Sequence, residues 1–152
     1  MISYVEGDIF RSPAQILVNP VNTDGIMGKG LAKEFKHRFP EMFKHYQSLC
    51  ENKQFSIGQL FLYKTPNHWI LNFPTKQSWR HKSKTEYIEA GLQKFVATYL
   101  DEGMFSVGFP QLGCGNGDLD WITQVKPLME YYLQPLPIEI YIHLFDSTVT
   151  SD

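Results

Sequence analysis

Twice along this chain a short apolar run empties through a glycine-rich loop into a helical pattern. That repeated succession constrains the fold more than any other feature of the sequence. In the first instance Ile16-Leu17-Val18 reads as a buried strand that stops at Pro20, which cannot donate to a sheet ladder. Asn19, Asn22, a Thr-Asp-Gly turn and Gly28-Lys29-Gly30 follow, and then a helix. In the second, a strand over Ser106–Phe109 is closed by Pro110, and Gly113-Cys114-Gly115-Asn116-Gly117 leads to another helical stretch. A strand that opens through glycines onto a helix start suits an anion, because the first-turn amides are unpaired and the helix dipole favours negative charge.

The remaining segments extend the same scheme. Ile2–Glu6 alternates apolar and polar residues like a strand, Gly7-Asp8 ends it, and Asp8 and Ile9 lie in the turn that follows. After Gly30, the residues Leu31, Phe35 and Phe39 recur every fourth position until Pro40 stops the helix. A second helix carries Met42, Tyr46, Leu49 and Cys50 on one face. Leu60–Tyr63 and Trp69–Phe73 flank a Pro-Asn-His turn and predict a hairpin, whose second strand leaves Thr75-Lys76 in a loop at its carboxyl end. Ser83-Lys84-Thr85-Glu86 has the spacing of a capping box, ahead of an apolar stripe of Ile88, Leu92, Phe95, Val96 and Tyr99. A helix to Leu133, with Pro127 near its first turn, and a strand over Ile138–His143 complete the set, and Ser147–Asp152 reads as a frayed tail.

Strands alternate with helices except at the hairpin, which predicts a three-layer α/β/α domain with a mixed six-stranded sheet. The 152 residues fit one such domain, 1–152. Ligands of open α/β sheets bind at the carboxyl ends of strands. Asn19 and Asn22, Thr75 and Lys76, and Gly113–Gly117 all directly follow strands, so three distant loops are expected to converge on one cleft.

Charge narrows the ligand. A formal net charge of −2 argues against wholesale coating of nucleic acid. Lys76, Arg80, His81, Lys82 and Lys84 nevertheless fall within nine positions, and Lys29, Lys33, Lys36, His37 and Arg38 within ten. Local basic patches on a near-neutral chain point to a polyanion bound at one place, although the second patch reads more simply as a solvated helix face. Cys50 and Cys114 have no metal-ligand spacing and the five histidines are scattered, so no metal site or disulfide framework is expected. These features fit a reducing, cytoplasmic compartment. No apolar run is long enough to span a bilayer, so no membrane association is expected.

Three segments together resemble the macrodomain family: Val5-Glu6-Gly7-Asp8-Ile9, Val18-Asn19-Pro20-Val21-Asn22 with Gly28-Lys29-Gly30, and Pro110-Gln111-Leu112-Gly113-Cys114-Gly115. Within it, Asn72-Phe73-Pro74-Thr75-Lys76 with Trp79-Arg80, then Glu89-Ala90-Gly91-Leu92, resembles the DarG-type antitoxins. The resemblance implies an ADP-ribose-binding fold over roughly Met1 to Phe145. It also implies a glycohydrolase that removes ADP-ribose from thymidine in single-stranded DNA, reversing a partner ADP-ribosyltransferase toxin. ADP-ribose would be ligand and product, with no further cofactor, and the protein a monomer.

The same resemblance assigns roles. Asp8 would accept the adenine amine beside the amide of Ile9. Asn22 would hold the distal ribose, lined by the amides of Gly28, Lys29 and Gly30, with Asn19 and Thr75 nearby. The amides of Gly113, Cys114, Gly115, Asn116 and Gly117 would cradle the diphosphate. Lys76 matches the family's catalytic lysine. The related terminal ADP-ribose protein glycohydrolases pair that lysine with an aspartate in the second glycine loop. Gly117 stands there in this chain, with Asp118 and Asp120 beyond it in positions that also suit a helix start. The departure argues for DNA over a protein glutamate.

Residue chemistry leaves alternatives open. Lys76 could protonate or electrostatically support the departing base, or attack the anomeric carbon as a neutral amine. Trp79 is either a core residue or a platform that stacks an unpaired base beside Arg80 and Lys82. Asn19 by itself reads as a turn former, and Cys114 as a small buried residue. The same cleft would also serve a module that reads ADP-ribose without cleaving it, or a hydrolase of small ADP-ribose derivatives or of ADP-ribosylated protein.

Overall fold

The computed structural model describes residues 1–145; the tail expected over Ser147–Asp152 lies outside them. Six strands, β1 (Ile2–Glu6), β2 (Ile16–Val21), β3 (Phe61–Lys64), β4 (Trp69–Pro74), β5 (Ser106–Phe109) and β6 (Glu139–Leu144), form one sheet in the order β1-β6-β5-β2-β4-β3. All neighbours run parallel except β3, which pairs antiparallel with β4. The mixed sheet follows from the chain itself: only β3 and β4 are joined by a short turn, whereas the parallel pairs need longer crossovers.

The central strands are apolar on both faces because both faces are covered. Ile16 and Val18 of β2 pack with Leu71 and Phe73 of β4 against α3 (Thr85–Thr98) and α4 (Lys126–Leu133), through Ile88, Leu92, Phe95, Met129 and Leu133. Leu17 and Val21 face the opposite side and meet Phe35 of α1 (Gly30–Arg38) and Met42 and Tyr46 of α2 (Pro40–Glu51). Three layers result. Gly91 has a packing reason: a Cβ there would overlap the Phe73 ring, so only glycine lets α3 lie so close to β4.

Three local expectations are corrected. β2 does not stop at Pro20 but runs to Val21, with Pro20 paired in register with Phe73. The Thr75 amide donates to the Val21 carbonyl at 2.8 Å, so odd-numbered residues of β2 address β4 and Pro20 turns its nitrogen to the β5 side. Pairing with β5 covers only Ile16 and Leu17, so the missing donor interrupts no ladder bond. The capping box does not form either. Lys84 is the N-cap of α3 without a side-chain bond, and Glu86 accepts instead from Thr85 at 3.1 Å. Ser83 donates its hydroxyl to the Thr75 carbonyl and its amide to the Gly117 carbonyl at 3.0 Å, tying two loops together. The last helix begins as a π-helical turn, Trp121–Val125, capped by Asp120, whose carboxylate takes the Thr123 amide at 2.8 Å.

Candidate active site

The carboxyl ends of the parallel strands β6, β5, β2 and β4 lie side by side, and the loops leaving them enclose a cleft of about 500 Å³. Asn22, Gly28, Lys29 and Gly30 line it from the first glycine loop, and Thr75, Lys76 and Trp79 from the loop after β4. Gly113, Gly115, Asn116 and Gly117 line it from the second glycine loop, and Phe145 lies beyond β6. An open hollow bounded by Lys29, Lys33 and Asn116 adjoins it, so part of the basic helix patch reaches the rim.

The first loop is shaped by side chains. Asn22 is buried, and its Oδ1 accepts from the Tyr46 hydroxyl at 2.6 Å and from the amides of Asp24 and Ile26 at 3.3 Å. Its Nδ2 donates to the Ile26 carbonyl at 2.7 Å, which leaves one amide hydrogen for a ligand. The second loop is shaped by the lack of side chains. Gly113 has φ of +73°, and a Cβ on Gly117 would lie 2.9 Å from the Gly113 carbonyl carbon and the Ser83 Cβ. Such a bare backbone leaves amides open to an anion.

Lys76 is half-buried between these loops. Burial holds its ammonium below the ordinary lysine range; Asp118 pulls it back up, Lys29 pushes it down and Asp24 raises it again. By its position in the sequence Asp118 suits a helix start, as Asp120 does. It does not form one: Asp120 caps, while Asp118 sits at φ +64°, 3.8 Å from the exposed Lys82 ammonium. Nothing local in the sequence distinguishes the two aspartates.

Several expected site residues do not line the cleft with their side chains. Asn19 neither forms a turn nor lines the cleft: it is fully buried in β2, and its Nδ2 donates to Asn72 Oδ1 at 3.0 Å. Cys114 packs its side chain against the core, and burial pushes its thiol up to about 12. Asp8 and Ile9 sit outside the lining; the Asp8 carboxylate takes the Phe10 amide at 2.9 Å, and Ile9 is buried against the α1–α2 side of the sheet. Trp79 is 45% exposed, which excludes the core alternative, and the Arg80 guanidinium lies 5.1 Å from its ring centroid. Arg80 and Lys82 flank the cleft without lining it.

A mainly parallel sheet with two glycine loops and a half-buried lysine at the carboxyl ends of its strands is the arrangement expected of a macrodomain. Residues 18–127 match the family model described as Macro domain, and the chain belongs to that family. Among its relatives, a Mycobacterium tuberculosis protein named DNA ADP-ribosyl glycohydrolase is 41% identical over 94% of this chain and 42% of its own length. The chain thus spans about 42% of that curated relative. The solved macrodomain of Mycobacterium tuberculosis DarG superposes with a TM-score of 0.90 at 40% identity, covering 97% of this chain and 99% of that one. Thermosipho africanus DarTG, solved in complex with ADP-ribose, gives a TM-score of 0.91 at 39% identity over 99% of this chain and 43% of that one.

Proposed function

We propose that this macrodomain binds ADP-ribose in the cleft and removes it from thymidine in single-stranded DNA, as the antitoxin side of a pair with an ADP-ribosyltransferase. The observation that carries the reading is the half-buried Lys76, lining the same cleft as both glycine loops. In this reading the diphosphate rests on the Gly113–Gly117 amides, and the distal ribose lies against Gly28–Gly30 and the free Nδ2 hydrogen of Asn22. The adenine extends past Phe145 toward Asp8 and Ile9. Trp79, with Arg80 and Lys82 beside it, takes a base of the strand. Similarity to a named DNA ADP-ribosyl glycohydrolase supports the substrate class, and two free thiols fit a cytoplasmic setting.

Cleavage of the N-glycosidic bond develops positive charge on the anomeric carbon and negative charge on thymine. The bonding pair leaves with the base, water supplies hydroxide to the sugar, and the base gains a proton. Thymine's imide is about as weak an acid as a lysine ammonium. Lys76, whose hold on its proton is weakened by burial and partly restored by Asp118 and Asp24, is matched to donate that proton. Such a donor contributes on the order of 10³-fold.

Incubating the wild type and Lys76→Ala with a thymidine-ADP-ribosylated oligonucleotide and with glutamate-ADP-ribosylated protein tests this. The expected result is release from the DNA only, about 10³-fold slower in the mutant, with ADP-ribose affinity retained. Because the acid must be protonated, the wild-type rate falls as pH rises through the Lys76 pKa, with the limb below the ordinary lysine value of 10.5. Equal activity of Lys76→Ala removes the lysine from the mechanism. Release from neither substrate, with ADP-ribose still bound, makes the domain a reader.

A further inference from the structure

We infer that Asp24 is a positioning residue for the cleavage: from the first glycine loop it bonds the neighbouring loop that carries Lys76 and Trp79 and fixes it in place. The inference rests on the function proposed above. The Oδ2 of Asp24 accepts from the Ser78 hydroxyl at 2.9 Å and from the Trp79 amide at 3.3 Å. Beside it the Thr23 hydroxyl donates to the Gln77 carbonyl at 2.9 Å. The sequence offers Thr-Asp-Gly as a bare turn, and a turn-forming aspartate bonds its own neighbouring backbone. Asp24 does not. The turn is closed by Asn22, which takes the Asp24 amide, and the Asp24 carboxylate is spent on residues 54 and 55 positions away.

The loop has little else to hold it. Residues 76–82 belong to no helix or strand. The loop is fastened at its far end by Ser83, which bonds the Thr75 and Gly117 carbonyls. Among the described residues, its middle is tied to the rest of the protein only by Thr23, Asp24 and the exposed Lys82–Asp118 pair. An exposed ion pair of that kind contributes little. Bonds to an ionised carboxylate are the stronger class, so Asp24 dominates the fastening. Two consequences meet in one residue: the carboxylate holds Trp79 where a base would stack, and its charge lies near the Lys76 ammonium.

Asp24→Ala and Asp24→Asn separate these effects, because asparagine keeps an acceptor oxygen without the charge. Backbone ¹⁵N relaxation is measured alongside turnover of the thymidine-ADP-ribosylated oligonucleotide. In Asp24→Ala the order parameters of Ser78–Arg80 should fall from about 0.85 to below about 0.6. Turnover should drop roughly tenfold and the KM for oligonucleotide should rise, while affinity for free ADP-ribose stays within about twofold. Asp24→Asn should keep the loop rigid and recover most turnover, with the basic limb of its pH profile displaced to lower pH. A loop that stays rigid in Asp24→Ala, or one that loosens with wild-type kcat and KM, overturns the inference. A wild type that leaves the oligonucleotide intact overturns the function proposed above and with it the catalytic part of this role. The clasp itself is then judged by the order parameters alone.

Discussion

Between β2 and α1 the cleft wall is held by what side chains do. Asn22 spends both polar atoms of its amide on Tyr46, Asp24 and Ile26, and Asp24 reaches out to the neighbouring loop. Between β5 and the π-helical turn the wall is held by what side chains would obstruct. There the Leu119 amide donates to the Gly113 carbonyl at 2.9 Å, the Ser83 amide to the Gly117 carbonyl at 3.0 Å, and the backbone folds too tightly on itself for a Cβ. The first loop is thus specified by hydrogen bonds that a mutation can delete, the second by space that a mutation can fill. One failure leaves polar groups unpaired; the other moves backbone. The second should be the costlier for a loop whose amides face a diphosphate.

Gly117→Ala is the strongest way to break this contrast. Its Cβ would overlap the Gly113 carbonyl oxygen and lie 2.9 Å from the Ser83 Cβ, neither of them a flexible tip that can step aside. Overpacking of this kind costs about 1–3 kcal/mol, and backbone obstruction argues for the upper end. Denaturant unfolding should report a loss of about 3 kcal/mol, and titration calorimetry an ADP-ribose affinity lower by at least about tenfold, because the displaced amides no longer converge. A variant of wild-type stability and affinity would mean that the second loop is not defined by exclusion.

Tyr46→Phe probes the first loop with a smaller expected effect. The Tyr46 hydroxyl is buried between the Asn22 side-chain oxygen at 2.6 Å and its carbonyl at 2.9 Å. Deleting it leaves the ring packing intact and removes one donor. Asn22 Oδ1 keeps the amides of Asp24 and Ile26, so it is not stranded. A loss of about 1–2 kcal/mol follows from removal of a buried hydrogen bond. It should appear in unfolding, with a several-fold fall in oligonucleotide turnover as Asn22 loosens. No change in either would show that the loop is held by its backbone alone, like its counterpart.

How far the sequence discloses these loops follows the same division. Apolar runs and glycines are local signals, so β2, β5 and the convergence of their loops at one sheet edge are legible from residue order and the carboxyl-end rule. Residues whose partners lie far away in sequence are not. Asn19 looks like a turn former until its cross-strand partner Asn72 is known, and Ser83 looks like half of a capping box until Thr75 and Gly117 claim it. Pro20 misleads for a related reason: its missing donor matters only if that side of β2 is paired, which the neighbouring strand decides. Asp24 gives no sign of its role, because the bonds that define it join residues 54 and 55 positions apart.

The smallest effect is expected of Gly28→Ala, and it sharpens the contrast because it adds a methyl to the first loop where Gly117→Ala adds one to the second. A Cβ on Gly28 would meet only the Ile26 Cγ2, at the ordinary contact distance of 3.5 Å, and the backbone there is outside the left-handed region. Nothing in the folded state opposes it. Alanine also narrows the unfolded ensemble, which stabilises by about 0.4–1 kcal/mol where the native backbone accepts it. Thermal unfolding of Gly28→Ala should therefore match or slightly exceed that of the wild type, in the same protein in which Gly117→Ala unfolds early. If the two methyl additions destabilised equally, both glycine loops would be built by exclusion, and the side-chain bonds of Asn22 would be incidental to the shape of the first.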